Sequence, residues 1–265
     1  MQLALNHICA PKLSLEEFFA MSRRLGVEAV EIRNDIPDVV GSRAPTEVRR
    51  AAAEAGVRIV SINALYPFNR WSGDLPGRAR ALADYAAECG AEALVMCPLN
   101  DGTAVPQDEL THALGEMAGV LRERGLRGLV EPLGFPISSL RRKAEALAAI
   151  AASGGDDVYD LLHDTFHHQL AGETEFFAER TGLVHVSGVT DRQVRVEDML
   201  DAHRVLVDGT DRLGNLAQLR ALLAAGYTGP ISFEPFAAEI HNLDDPEAAL
   251  KDTIAFVTSG VTEAA

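Results

Sequence analysis

The chain has 265 residues, 47% of them hydrophobic and 24% charged, with a formal charge of −15. That length suits one large α/β domain, and the apolar share is enough to bury a sizeable core, so a disordered chain is excluded. A surface this acidic repels phosphate backbones and anionic lipid, which argues against nucleic-acid and membrane partners.

Short apolar runs alternate with amphipathic stretches along the whole chain. Leu3–Ile8 comes first, and Ser14 with Glu17 three residues on forms a capping box for a helix over 14–24. Val27–Ile32 follows the helix stop Gly26 and leads to a helical pattern at 45–55. Val57–Asn63 and the pattern at 74–89 come next, then Ala93–Cys97 and 106–124. The second half continues with Leu126–Glu131 and 138–152, then Val158–Asp164 and 172–180. Leu183–Ser187 with 214–225 and Ile231–Glu234 with 246–258 complete the series. GVEAVEI, GVRIVSI, GAEALVM, GLRGLVE and GYTGPISFE repeat one phrase, a helix stop and then a strand.

Eight runs and eight helical patterns predict a (β/α)₈ TIM barrel, a single domain spanning 1–265. An open doubly wound sheet is disfavoured because neither GxGxxG nor GxxxxGK[ST] is present. Cys9, Cys89 and Cys97 form no CxxC pair and read as reduced packing thiols. With no signal-like N-terminus and no membrane-length apolar window, a cytoplasmic location is expected.

Barrel active sites lie at the C-terminal strand ends. There the last four runs carry Glu131, Asp164, His185 and Glu234. Carboxylates crowded at one end repel one another, and a bound dication removes that conflict. Three oxygen donors and one imidazole suit a single Mn²⁺, Co²⁺, Mg²⁺ or Zn²⁺. Side chains alternate along a strand, so if Asp164 points to the axis, His163 points outward to the helices. His167 lies one helical turn past Asp164 and is placed to face the site again, whereas His168 faces elsewhere. His112, His203 and His241 carry no comparable argument. In the first half, Asn6, His7, Glu31, Arg33, Asn63 and Cys97-Pro98 are candidates to line a pocket for hydroxyls. Trp71 in PFNRWSG is a candidate cover for its mouth, with plain packing as the alternative.

In LALNHI, EAVEIR, VSINALYPFN, VEPLGFP, LLHDTFHHQLAG, LVHVSGV and AGYTGPISFEPF the chain resembles the xylose-isomerase-like barrel superfamily over nearly its whole length. That superfamily includes inosose isomerases, ketose 3-epimerases and hydroxypyruvate isomerases, and the inosose isomerase branch is the most similar. The resemblance implies metal ligands at Glu131, Asp164, His185 and Glu234 and a substrate contact at His167. It implies a further basic residue, with Arg192 and Arg204 as candidates. SGVTDRQ and VDGTDRLGN depart from the usual pattern in substrate-facing loops. The superfamily's endonuclease branch grips DNA through a basic face, which a charge of −15 opposes.

The expected activity is isomerisation or epimerisation of a small polyhydroxy ketone, an inosose or a ketose. A proton would pass through an enediolate, with Glu131 and Glu234 as bases. The alternatives are an inosose dehydratase-type lyase on the same site, or a non-catalytic sugar-binding barrel with a structural metal. The expected partners are the small-molecule polyol or ketose and a second copy in a homodimer.

Overall fold

Each helix stop and apolar run of the sequence becomes one strand of a closed barrel in the computed structural model, which describes residues 1–262. The strands are β1 (Gln2–Asn6), β2 (Ala29–Arg33), β3 (Arg58–Leu65), β4 (Ala93–Met96), β5 (Arg127–Val130), β6 (Tyr159–Asp164), β7 (Thr181–Val186) and β8 (Pro230–Phe233). All pair in parallel in sequence order, and β8 closes on β1. The TIM barrel expected from the sequence is the observed fold.

Among the described residues the helices are α1 (Leu15–Arg24), α2 (Pro45–Ala55), α3 (Leu75–Cys89), α4 (Gln107–Arg124), α5 (Lys143–Ser153), α6 (Thr165–Ala171), α7 (Asn215–Ala224), α8 (Ala238–His241) and α9 (Pro246–Thr262). None of these is long and apolar enough to cross a membrane. The capping box at Ser14 is formed: its hydroxyl accepts from the Glu17 amide, and Glu17 accepts in turn from the Ser14 amide.

Two expected helices need correction. The one placed at 172–180 lies instead at Thr165–Ala171. Asp164 ends β6 and caps the helix directly, accepting from the amides of Phe166 (2.7 Å) and His167 (3.3 Å). Gly172 then stops it, so no loop separates strand and helix here. The helix expected from 138 begins at Lys143, because Ser138 and Ser139 bond to loop carbonyls, those of Leu140 and Leu99, rather than opening a helical turn.

The main core lies between strands and helices, where Phe18, Phe19, Met21, Leu114 and Ile150 are fully or almost fully buried. Burying one such side chain contributes about 1.5–3 kcal/mol. Inside the barrel the lower layers are apolar: Ala4, Ala29 and Val60 on one side, and Ala93, Val95, Leu129, Leu162 and Leu183 on the other. Side chains two residues further along the same strands face the axis again, which carries Asn6 and Glu31 into a polar layer above them. The site stands on that layer.

Candidate metal centre

Glu131 and Glu234 immediately follow β5 and β8, and their amides extend the ladder by donating to the carbonyls of Met96 (3.1 Å) and Val186 (2.9 Å). Asp164 and His185 are register partners on β6 and β7. These four buried side chains each offer a ligand atom, and all four atoms lie within 4.8 Å of one another. His185 Nδ1 is 3.0 Å from Glu234 Oε2, 3.4 Å from Glu131 Oε1 and 3.9 Å from Asp164 Oδ2. That nitrogen is buried without a directed hydrogen bond despite these near neighbours. Two ligands of one ion, each about 2.1 Å from it, sit roughly 3.0–3.5 Å apart. The donor set and its spacing therefore fit a single divalent cation.

Charge balance points the same way. Glu31, Glu131, Asp164 and Glu234 are buried carboxylates, and the buried cations facing them are Arg33 and Arg204. With His185 neutral, two negative charges remain, which a dication would neutralise. Burial opposes charge on His185, but Glu234 and Glu31 outweigh it and hold its pKa well above the ordinary value. Burial would likewise raise Glu234, yet His185, Arg204 and Arg33 together hold it low.

The two glutamates differ. Both oxygens of Glu234 are engaged: Oε1 by Arg33 Nη1 (2.9 Å) and Asn6 Nδ2 (3.2 Å), Oε2 by Arg204 Nη2 (3.1 Å). Among the described residues, Glu131 Oε2 accepts only from the Cys97 thiol, at 3.2 Å.

The cluster opens into a cavity of about 140 Å³ whose wall includes Asn63, Cys97, Phe135, His167, Arg204 and Phe236. His167 presents an Nδ1 without a partner among the described residues, its ring packed edge-on to Phe135 and Phe166. Gly134 allows this approach, since a Cβ there would meet the His167 carbonyl at 2.3 Å. Of the two arginines, the structure brings Arg204 into the site and leaves Arg192 exposed in a loop. Gly188 and Val205 form an antiparallel bridge that folds Arg204 back over the mouth, and a Cβ at Gly188 would lie 2.9 Å from the Leu206 carbonyl. Arg204 Nη2 then donates to Asp164 Oδ2 at 2.6 Å and Nε to the Ser187 hydroxyl at 2.9 Å. Arg33 and Arg204 both lie over the Phe236 ring.

Other expectations are corrected. Trp71 packs half-buried against the main core and does not line the cavity, so it does not cover the mouth. His7 turns away, bonding to the Leu13 carbonyl and stacking on Phe18. Glu31 and Asn6 lie beneath the cavity rather than in its wall. His163 faces the helices as strand parity requires, 3.0 Å from Gln218 and 3.4 Å from Lys143, and His168 contacts Lys143 at 2.6 Å. Burial pushes His163 well below its ordinary pKa and His168 down to about 3, with Lys143 adding to both. Sequence reasoning missed Phe135, Phe236 and Asp201 in the wall. Phe135 and Phe236 lie in loops and Asp201 opens a single 3-10 turn (Asp201–His203), where no strand or helix period marks a facing side chain.

The sequence pattern described as a xylose isomerase-like TIM barrel matches residues 19–259. A xylose isomerase domain-containing protein from Salmonella typhimurium LT2 has a similar structure, with a TM-score of 0.91 and 36% identity, covering 98% of this chain and 97% of that one. The IolI protein with a bound zinc atom superposes with a TM-score of 0.84 at 19% identity, covering 98% of each chain. An L-ribulose 3-epimerase does so with a TM-score of 0.76 at 20% identity, covering all of this chain and 96% of that one. No curated protein matches the chain.

Proposed function

The chain belongs to the xylose isomerase-like TIM barrel family, and we propose that it isomerises or epimerises a small, neutral polyhydroxy ketone, an inosose or ketose, with the aid of one divalent metal ion. The observation that carries this reading is the convergence of Glu131, Asp164, His185 and Glu234, of which Glu131 and Glu234 line a small cavity, with no directed hydrogen bond to His185 Nδ1 among the described residues. The zinc of the IolI protein and the activity of the epimerase, on the same fold, support it.

When bound, the ion supplies Lewis-acid polarisation of a carbonyl. Glu131, Asp164, His185 and Glu234 hold it. Glu131 removes the proton next to the carbonyl, since its Oε2 is engaged only by a weak thiol donor. Glu234 acts from the other side: it starts ionised, so it takes up a solvent proton and passes that to the substrate, while the proton taken by Glu131 is lost to solvent. It is the weaker base, because two guanidinium groups and Asn6 already occupy its oxygens. His167 Nδ1 meets a substrate oxygen at the cavity wall. Arg204 and Arg33 offset negative charge developing on the substrate. Phe135 and Phe236 exclude water and face the C–H surface of a polyol. Four carboxylates, two arginines and a dication balance, which favours an uncharged substrate over a carboxylate.

The test is turnover of inososes, ketohexoses and hydroxypyruvate by metal-stripped protein with Mn²⁺ added back, run in D₂O. Solvent deuterium in an isomerised or epimerised product is the expected outcome. Turnover with loss of water would make the protein a lyase. Transfer of the substrate's own hydrogen between neighbouring carbons would replace proton transfer with a hydride shift.

A further inference from the structure

The polar layer beneath the cavity contains a further carboxylate, outside the metal-ligand set. Glu31, in the middle of β2, is fully buried. Its oxygens accept from the hydroxyls of Ser61 and Ser232, both at 2.5 Å, from Asn63 Nδ2 at 2.7 Å and from Asn6 Nδ2 at 3.3 Å. These donors come from β3, β8 and β1, so the side chain is tied across the barrel axis. The remaining partner is His185, whose Nε2 lies 3.0 and 3.1 Å from the two oxygens.

An ionised carboxylate only accepts hydrogen bonds. Four neutral donors around Glu31 favour that ionised form, so the Nε2 contact requires a proton on Nε2. In a neutral imidazole the lone pair then sits on Nδ1. Nδ1 is the atom that points at Glu131, Asp164 and Glu234.

We propose that Glu31 is a positioning residue for the metal centre: it fixes the ring orientation and tautomer of His185 so that Nδ1, not Nε2, ligates the ion. The arrangement is a carboxylate–histidine–metal relay in which the carboxylate is supplied by the half of the barrel that offers no ligand. The proposal rests on the metal reading above and goes beyond it by naming the ligand atom and what selects it.

Two measurements test it. In wild-type protein loaded with Zn²⁺ and carrying ¹⁵N-labelled histidine, long-range ¹H–¹⁵N correlation should show the His185 proton on Nε2 and a metal-shifted Nδ1. In Glu31→Gln, Zn²⁺ affinity should fall about 10- to 100-fold, the range for loss of a partner behind a metal ligand. The melting temperature of the metal-free variant should fall, because Glu31 also pairs there with the buried His185 ring, so the affinity is measured on variant shown to be folded by circular dichroism. The ring proton of its zinc-loaded form should no longer be confined to Nε2, a readout that a purely structural role would not move. A folded Glu31→Gln with unchanged affinity would overturn the proposal, as would a wild-type spectrum with Nδ1 protonated and Nε2 on zinc. If Glu31→Gln does not fold, the wild-type spectrum decides. Wild-type protein that takes up no ion would sink the metal reading together with this one, whereas normal uptake with an indifferent Glu31 would sink this one alone.

Discussion

The two halves of the barrel put glutamates at different depths, and depth decides what each can do. In the half from β5 to β8, Glu131 and Glu234 stand just past the strand ends and reach the cavity. In the half from β1 to β4, Glu31 lies two residues short of its strand's end and is sealed by neutral donors. The first half supplies buried support, with Asn6 bridging Glu31 and Glu234 and Arg33 bonding to Glu234. The second supplies the atoms that can meet an ion. A carboxylate at a strand tip competes for metal and proton, and the same group one layer down orients its neighbours.

The contrast between Glu131 and Glu234 gives the largest expected effect. Glu131→Gln should lower turnover by roughly 10²–10⁴, the loss expected for a general base. Glu234→Gln should cost less turnover while weakening metal binding more, since Glu234 is held by Arg33 and Arg204 and makes the closer contact with His185. Steady-state kinetics alongside Mn²⁺ titration separates the two. If Glu234→Gln lost more turnover at saturating metal, the roles would have to be exchanged.

Next in size is the test of parity on β6. Asp164→Asn should weaken Mn²⁺ binding by more than the about 100-fold that bounds the loss of an outer partner. His163→Asn, on the adjacent residue, should leave it within a few-fold, because His163 bonds to Gln218 and Lys143 on the helix side. Comparable losses in the two variants would mean that β6 presents the other face to the axis.

A third check is the pH dependence of metal affinity. In the metal-free protein the surrounding carboxylates hold the His185 pKa well above its ordinary value, and the ring must lose that proton to ligate. Affinity should therefore rise with pH by about tenfold per unit up to that raised pKa. Glu234, held low, adds no second proton in this range. Calorimetry in buffers of different ionisation enthalpy should register release of about one proton per ion at neutral pH. Affinity flat from acid to neutral pH would contradict this.

Much of this architecture was legible in the sequence for a physical reason. Glycines that stop helices, followed by apolar runs, mark βα units, and a carboxylate ending an apolar run marks a strand tip facing the active end. What could not be read depends on contacts between distant segments. The choice of Arg204 over Arg192 is made by the Gly188–Val205 bridge, which no local pattern announces. Phe236 and Phe135 enter the wall through loop conformations. The misplaced helix at 172–180 arose because Asp164 serves as strand end and helix cap at once, leaving none of the loop a βα unit normally spends there. Glu31 and Arg33, two residues apart, could be assigned to one face, but only the closed barrel brings Glu31 of β2 against His185 of the non-adjacent β7.

The smallest expected effects fall on residues the structure moves out of the site. Arg192→Ala and Trp71→Ala should change turnover by no more than about twofold, as expected for substitutions that touch neither the cavity nor a buried polar network. A larger kinetic defect in either would mean that its loop closes on the substrate.

The claim that β5 to β8 supply the ligands and β1 to β4 the support is tested most directly by anomalous diffraction at the metal edge from crystals soaked in Mn²⁺ or Zn²⁺. The predicted map has one peak per chain, lying among Glu131, Asp164, His185 Nδ1 and Glu234. An absent peak there, an ion bound by Glu31 or the outward-facing His163, or a cluster of two or three ions would contradict it.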